Sequence, residues 1–204
     1  MLDHQHTTNQ KIHFLKQKYT SCQSCKELCE SRSQVVFGSG NLNAEILFIG
    51  EAPGANEDKN GIPFCGASGQ ILQDLLQRIN YDRNQIFITN TVLCKPPKNR
   101  NPKANEIKAC NERLNQTIQA INPKIIVTIG NFATKAITKT KVGITKIRGK
   151  PIETTINNSS YTIVPVVHPA NLLYNGRNPV IFQQMKDDFN IIKKIINKKT
   201  KHQK

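Results

Sequence analysis

Four short apolar segments alternate along this 204-residue chain with segments whose apolar residues recur at helical spacing. The apolar segments cover residues 44–50, 85–90, 124–130 and 161–167. Each has the length and composition of a strand that is buried on both faces. Parallel strands need long crossover connections, and the intervening helices supply them. The alternation therefore predicts an α/β fold, a parallel sheet with helices on both faces.

The predicted helices cover residues 68–79, 104–121, 131–138 and 178–196. Residues 146–153 could add a short strand. The length suits one domain, which we assign to residues 21–198. Residues 1–20 are expected to form a polar arm or short helix before it, and residues 199–204 a basic tail after it.

The composition is strongly basic, with 29 Lys and Arg against 14 Asp and Glu and a formal net charge of +15. Such a charge favours a polyanionic partner such as nucleic acid, because binding neutralises phosphates and releases counterions. The alternative is a composition that is merely rich in lysine, with a solvated tail. No segment reaches the roughly 18 apolar residues of a membrane span, and no signal-peptide core is present. We therefore expect no membrane association and a cytoplasmic location.

Unusual residues follow three of the predicted strands. Residues 50–66 follow the first strand, Asn90 closes the second, and His168 and Pro169 follow the fourth. In a parallel sheet with helices on both faces, ligands bind beyond the carboxyl ends of the strands. The topology therefore brings these residues to one edge and predicts a single active site there.

The segment 50–66 is rich in glycine and in acids. A tight turn would account for its glycines and prolines. It would not account for Glu51, Glu57 and Asp58 at a ligand-binding edge, nor for Phe64, whose ring could present a face to a ligand. The segment is not a phosphate-binding loop, because it lacks the Gly-Lys-Ser/Thr sequence and its carboxylates would repel phosphate.

Four of the six cysteines form two pairs, a C-x-x-C and a wider pair: Cys22, Cys25, Cys94 and Cys110. In a reducing compartment, cysteines indicate metal or redox chemistry before disulfides. Four thiolates suit zinc or an iron–sulfur cluster, and the spacing does not separate the two. We interpret Cys29 and Cys65 as small buried or free thiols.

Two further features have both a structural and a functional interpretation. The basic, proline-rich residues 94–103 could be a solvated surface loop or, beside a nucleic-acid site, a clamp on the backbone. His168 could be a structural histidine. Its position at a strand end, opposite residues 50–54, favours a role in the site.

Taken together, residues 22–25, 50–76, 89–102 with Cys110, and 168–173 resemble the family 4 uracil-DNA glycosylases, the iron–sulfur branch of their superfamily. The resemblance extends from Cys22 to the final helix. It implies an α/β/α sandwich with a central four-stranded parallel sheet. It also implies that the four paired cysteines hold a [4Fe–4S] cluster, which joins the N-terminal arm to the loop after the second strand.

The implied function is a monofunctional uracil-DNA glycosylase. Such an enzyme flips uracil out of DNA, hydrolyses its N-glycosidic bond and so starts base excision repair of deaminated cytosine. The expected partner is uracil-containing DNA, single- or double-stranded, and the expected state is a monomer.

The resemblance also implies roles for individual residues. The uracil pocket would comprise Glu51, Ala52, Pro53, Gly54, Phe64, Asn90 and His168. Catalysis would involve Glu51, His168 and Glu57. Leu172 would enter the DNA stack, and the contacts to the DNA backbone would come from Lys95, Lys98, Arg100 and Arg177.

These roles are chemically consistent. The amide of Asn90 can accept from uracil N3–H while it donates to O4, and cytosine inverts both groups. A donor from His168 would stabilise the negative charge that develops at O2. The first loop departs from the best-known branch of the superfamily, since Ala52 replaces a water-activating aspartate and Gly54 replaces a tyrosine. Residues 174–176 are inserted after the His168 motif.

Two alternatives remain open at this stage. The first is a DNA-binding module that keeps the fold and the cluster without catalysis. The second is a zinc-containing enzyme of the same fold that acts on another deaminated base.

Overall fold

The computed structural model describes residues 7–201. The first six and last three residues, which include parts of the predicted arm and tail, lie outside this range. The strands are β1 (Ser39–Gly40), β2 (Ile46–Gly50), β3 (Phe87–Asn90), β4 (Ile125–Ile129), β5 (Ile152–Ile156) and β6 (Ser159–Val166). The helices are α1 (Thr8–Thr20), α2 (Lys26–Ser31), α3 (Ala55–Asn60), α4 (Ala67–Arg78), α5 (Ala104–Ile121), α6 (Gly130–Thr138), α7 (Ile144–Ile147), α8 (Ala170–Tyr174) and α9 (Pro179–Lys201), with a 3-10 turn at Pro97–Asn99.

The strands form one sheet in the order β1-β3-β2-β4-β6-β5. The four central strands are parallel, which confirms the predicted α/β class and the predicted parallel core. The sheet is wider than the four strands expected, because β1 and β5 pair antiparallel at its two edges. Strand β5 joins β6 through Asn157 and Asn158, both of which have positive φ, as a two-residue hairpin turn requires.

Apolar cores cover both faces of the sheet. Strand β2 is fully buried, with Leu47 and Ile49 in one core and Ile46 and Phe48 in the other. The first core lies under α1, α2, α5 and α6, and the second under α4, α8 and α9. Three layers result, as predicted for strands with near-continuous apolar sequences.

The described parts of the predicted N-terminal arm and C-terminal tail belong to helices of the domain. Helix α1 places Ile12 and Leu15 in the first core, so the described part of the N-terminal arm packs with the domain. Helix α9 continues through Lys201, so the first residues of the predicted tail are helical. No helix within residues 7–201 has the length and apolar composition needed to cross a bilayer.

The segment 50–66 is not a continuous loop, because helix α3 lies within it. The Glu57 carboxylate accepts a hydrogen bond from the Gly54 amide at 3.1 Å, which satisfies a free donor at the start of the helix. Gly61 ends the helix with a φ of 71°. Asp58 is turned away from the sheet edge and accepts from the Ser33 amide at 2.9 Å and 3.0 Å. Its role is therefore to join α3 to the segment after α2.

Helix α4 begins so close to the preceding turn that Gly69 has no room for a side chain. A Cβ atom on Gly69 would lie 1.7 Å from the carbonyl oxygen of Phe64. Gly69→Ala should therefore lower the free energy of unfolding by about 1–3 kcal/mol, the usual cost of overpacking. Helix propensity alone would make the same change stabilising.

The measurement is urea unfolding of Gly69→Ala beside Gly143→Ala, whose added Cβ would meet nothing within 4 Å. The control should stay within about 1 kcal/mol of the parent, since Gly143 lies at the start of a short helix. Equal midpoints for the two variants would show that the turn at Phe64 yields to the added methyl group.

Candidate active site

A cavity of about 470 Å³ lies beyond the carboxyl ends of the central strands. Its walls come from the turn after β2, the end of β3, the proline-rich loop and α8. Residues that line it include Glu51, Ala52, Pro53, Gly54, Glu57, Phe64, Asn90 and His168. The structure therefore brings together every residue predicted for the pocket, across about 120 residues of sequence.

Asn90 lies at the end of β3 and is 2% exposed. Its Oδ1 atom is buried and has no hydrogen-bond partner among residues 7–201. The amide lies over Gly50 at the end of β2, where an added Cβ would be 2.4 Å from Oδ1. Buried acceptors are almost always paired, so an unpaired one in a residue that lines a cavity indicates a partner supplied by a ligand.

Phe64 is held in a strained backbone conformation beside Asn90. Its φ is 52°, which a bulky residue seldom adopts. Arg83 donates to the carbonyl oxygens of Pro63 and Phe64 at 2.6 Å and 2.9 Å, and so fixes the turn. The ring is stacked against His168, with the centroids 5.6 Å apart and the planes 27° from parallel. Strain that surrounding contacts hold in place is typical of functional sites.

His168 is a neutral hydrogen-bond donor in this site. Burial lowers the pKa of His168 to about 4, so the ring is uncharged near neutral pH. Its Nδ1 atom accepts from the Ala170 amide at 3.1 Å. Because a neutral ring carries one proton, that proton is on Nε2, and the pocket is offered an N–H donor.

Glu51 follows β2 directly and is half-buried in the cavity wall. Burial raises the pKa of the Glu51 carboxyl to about 7. Its backbone is fixed, because its carbonyl oxygen accepts from Thr91 Oγ1 at 2.5 Å and from the Val92 amide at 3.2 Å. The carboxyl is therefore positioned to change its charge near neutral pH.

Glu57 has a positioning role. Besides the Gly54 amide, its carboxylate accepts from the Gly66 amide at 3.4 Å. It therefore joins the two ends of the segment that lines the cavity. It also fills the space beside Gly54, where an added Cβ would lie 2.8 Å from its Oε2 atom.

Two residues predicted to contact DNA have partners within the protein. Leu172 is 4% exposed and packs in the second core. Arg100 donates to Glu106 at 2.6 Å and 2.9 Å and to Glu27 at 3.0 Å, so its guanidinium is occupied by carboxylates. The other predicted backbone contacts, Lys98 and Arg177, are exposed.

The proline-rich loop lies against the site, as its sequence suggested. Lys95 is only partly exposed at its start, and Pro96, Asn99, Arg100 and Asn101 line the cavity. Its attachment to α2 depends on Glu27, which pairs with Lys103 at 2.5 Å as well as with Arg100.

The four paired cysteines lie near one another beside α2 and α5. Burial, together with smaller effects of the neighbouring Cys110, Glu106, Cys22 and Cys94, raises the pKa of Cys25 to about 11. No three Cys, His, Asp or Glu side chains within residues 7–201 come close enough to hold a single metal ion. Cys29 also lies near this group, with its sulfur 3.4 Å from the Cys22 carbonyl oxygen, whereas Cys65 is exposed elsewhere.

Two arginines that sequence analysis did not identify contact these cysteines. Arg32 donates to Cys94 Sγ at 2.9 Å and to the Cys22 carbonyl oxygen at 2.6 Å, and so joins the N-terminal segment to the loop after β3. Arg113 on α5 is fully buried and lies one helical turn from Cys110. Neither position had a signal, because an isolated arginine in a helical pattern usually faces solvent.

Arg113 fixes the end of strand β3. Its guanidinium donates to Thr89 Oγ1 at 3.1 Å, to the Asn90 carbonyl oxygen at 2.8 Å and to the Thr91 carbonyl oxygen at 3.0 Å. Burial lowers the pKa of Arg113, and the neighbouring Cys110 opposes that change. One side chain thus connects the cysteine group with the residue that carries the unpaired amide oxygen.

Comparison with known proteins gives a consistent result. Residues 37–191 match the model of a family described as the uracil DNA glycosylase superfamily. A Type-4 uracil-DNA glycosylase of Sulfurisphaera tokodaii is 43% identical over 187 residues, which are 89% of this chain and 83% of that protein. A Type-4 uracil-DNA glycosylase of Thermotoga maritima is 38% identical over 85% of this chain and 88% of its own. A DNA polymerase of Bacillus phage SP01 is 29% identical over 80% of this chain, but over only 17% of its own length.

The contacts of Arg113 lead to a prediction about stability. Arg113→Met keeps a side chain of similar length but leaves the carbonyl oxygens of Asn90 and Thr91 without their donor. Each buried acceptor left unpaired costs about 1–3 kcal/mol, so the free energy of unfolding should fall by at least about 2 kcal/mol. The matched control is Arg78→Met on the exposed surface of α4, and chemical unfolding measures both. If both variants unfold at the same denaturant concentration, the hydrogen bonds of Arg113 do not hold the end of β3.

Proposed function

Because the chain belongs to the type-4 branch of the uracil DNA glycosylase superfamily, we propose that it removes uracil from DNA by hydrolysing the bond between base and deoxyribose. The observation that carries the proposal is the buried, unpaired Oδ1 atom of Asn90, a residue that lines the cavity. The product would be an abasic site, the first intermediate of base excision repair.

Asn90 recognises the base. Its unpaired Oδ1 accepts from uracil N3–H, while its amide nitrogen donates to O4. Cytosine has an acceptor at N3 and a donor in place of O4. The amide oxygen would then face an acceptor, and the amide nitrogen would face a donor. Leaving buried groups unpaired discriminates strongly between similar ligands. The Phe64 ring adds a stacking surface for the extruded base.

His168 and Glu51 assist the cleavage. As the bond breaks, negative charge develops on the uracil and positive charge on the sugar. The Nε2–H of neutral His168 donates to uracil O2, and this hydrogen bond strengthens as the charge grows. Ionised Glu51 stabilises the sugar cation or orients the attacking water. Glu57 keeps its positioning role, with Ala52, Pro53 and Gly54 forming the wall between the two acids.

The four paired cysteines suit an iron–sulfur cluster. Arg32 donates to Cys94 Sγ, and the positive charge of Arg113 lies near Cys110, so both cations would balance the negative charge of a thiolate-bound cluster. Four cysteine thiolates are the usual ligands of a [4Fe–4S] cluster. We assign Cys22, Cys25, Cys94 and Cys110 to it as a staple between α2 and the loop after β3. Iron and acid-labile sulfide in the purified protein would support this assignment, and stoichiometric zinc would overturn it.

The DNA partner is bound mainly through its phosphates. The net charge of +15 favours such binding, and Lys95, Lys98 and Arg177 are the remaining candidates for backbone contacts. We expect a monomer to suffice, since all the proposed site residues come from one chain. Reduced cysteine ligands and a DNA substrate both favour the cytoplasm.

The deciding experiment uses oligonucleotides that carry uracil opposite guanine, uracil opposite adenine, hypoxanthine or thymine. Incubation followed by alkaline cleavage should break only the uracil strands. Cleavage at hypoxanthine instead would favour an enzyme for another deaminated base. Binding of uracil DNA without base release would favour a DNA-binding module, which the similarity to part of a phage DNA polymerase makes the leading alternative.

Asn90→Asp tests base recognition. The carboxylate lacks the donor to O4 and places a second acceptor there, so uracil excision should slow at least about tenfold. Asn84→Asp on the surface is the matched control, because it makes the same change of charge away from the cavity. Single-turnover excision by folded protein is the measurement. Unchanged kinetics in Asn90→Asp would remove Asn90 from the pocket.

The raised pKa of Glu51 predicts a pH dependence. Below about pH 7 the carboxyl becomes protonated, so kcat/KM should fall about tenfold per pH unit. His168 stays neutral down to its pKa of about 4 and does not contribute in this range. Glu51→Gln should be slow and should show no inflection near pH 7. An identical profile in that variant would assign the titration to another group.

A further inference from the structure

The segment that follows His168 presents one unusual side chain to solvent. Tyr174 ends the five-residue helix α8 and is 86% exposed, whereas Leu172 in the same helix is 4% exposed. The tyrosine ring also lines the mouth of the active-site cavity, together with Ala170 and Asn171. Helix α8 therefore has an inner residue that anchors it in the core and an outer residue at the entrance to the site.

The turn after Tyr174 is closely defined. Gly176 and Arg177 have φ values of 59° and 57°, and the Arg177 amide donates to the Leu172 carbonyl oxygen at 2.8 Å. The Gly176 amide donates to the Leu173 carbonyl oxygen at 3.3 Å. The inserted residues 174–176 thus form a hydrogen-bonded end to α8, and they hold the tyrosine at the surface.

Nothing in the described part of the chain holds the Tyr174 ring. No hydrogen bond, ion pair or ring contact of its side chain is found within residues 7–201. Large exposed aromatic rings beside a nucleic-acid site are the usual platforms for base stacking. Tyrosine suits this role, because it orders few torsion angles when it binds.

We propose that Tyr174 enters the base stack of the DNA and contacts the base next to the extruded nucleotide. Extrusion leaves a gap in the stack, and an aromatic ring that fills it offsets the cost of unstacking. Leu172 is 4% exposed and packs in the core, whereas Tyr174 is exposed and lines the cavity. The inference rests on the proposed function, since that function requires an extruded base.

The absence of tryptophan from the sequence provides a direct test. Tyr174→Trp introduces a single tryptophan at the proposed contact. Its emission should be quenched when the protein binds duplex DNA that carries a non-cleavable deoxyuridine analogue, because stacking on a base quenches indole fluorescence. The matched control is Phe14→Trp, at an aromatic position on α1 that is 53% exposed and outside the cavity. Unchanged emission of Tyr174→Trp at saturating DNA, with binding verified by anisotropy of labelled DNA, would overturn the proposal.

Kinetics give a second, independent readout. Tyr174→Ala should lower single-turnover excision from duplex DNA about tenfold, the scale of one lost stacking contact. Tyr174→Phe keeps the ring and should stay within about twofold of the parent, as should Phe14→Ala. If Tyr174→Ala excises uracil from duplex DNA at the parental rate, the ring is not part of the stack.

The two proposals fail in different ways. A parent protein that releases no uracil, while Tyr174→Trp is still quenched by DNA with the analogue, would overturn the proposed function and keep the stacking contact. Normal uracil release without quenching would keep the function and overturn the stacking contact.

Discussion

One buried cation, Arg113, connects the two sites on which function depends, the cysteine group and the end of β3. The guanidinium of Arg113 is fully buried, and its hydrogen bonds fix the backbone at the end of β3. A buried charge is costly unless it is hydrogen-bonded, and the two terminal nitrogens of this guanidinium are paired with Thr89, Asn90 and Thr91, although Nε has no partner among residues 7–201. Asn90 lies at this strand end, and Cys110 lies one helical turn before Arg113 on α5. A group bound at the cysteines and a base bound at Asn90 would therefore share one anchor.

The wall of the cavity formed by Phe64 is shaped in a different way. Its backbone is strained, and contacts outside the site hold it in place. Phe64 keeps a left-handed backbone because Arg83 binds two carbonyl oxygens of its turn and Gly69 lets α4 approach that turn. Gly50 leaves room for both the Phe64 ring and the Asn90 amide at the end of β2. These contacts position the Phe64 ring and the Asn90 amide next to each other, and none of them would touch a ligand directly. The shape of the pocket is thus set by backbone geometry more than by side-chain choice.

The sequence predicts the sheet and the edge where the site lies, because buried parallel strands require continuous apolar segments and their carboxyl ends must converge. It does not predict which side chains at that edge are free. The acid Glu57 satisfies backbone amides of its own segment, and Arg100 pairs with carboxylates, since both have partners that become neighbours only on folding. Leu172 occupies a motif position that suggested a role at the DNA, yet the packing of α8 turns it inward. Tyr174, two residues further along the chain, takes the exposed position.

The unpaired oxygen of Asn90 and the neutral ring of His168 have the same physical origin, since both groups are buried. In water, Oδ1 would be satisfied at once, and its preference between uracil and cytosine would be small. In a buried site the missing partner costs about 1–3 kcal/mol until a ligand with the right donor arrives. The free protein therefore has an unpaired acceptor whose free-energy cost uracil removes and cytosine does not. Burial also keeps His168 uncharged, so its hydrogen bond gains most as charge develops on the leaving base. Recognition and catalysis would thus both depend on how firmly the protein keeps Asn90 and His168 buried.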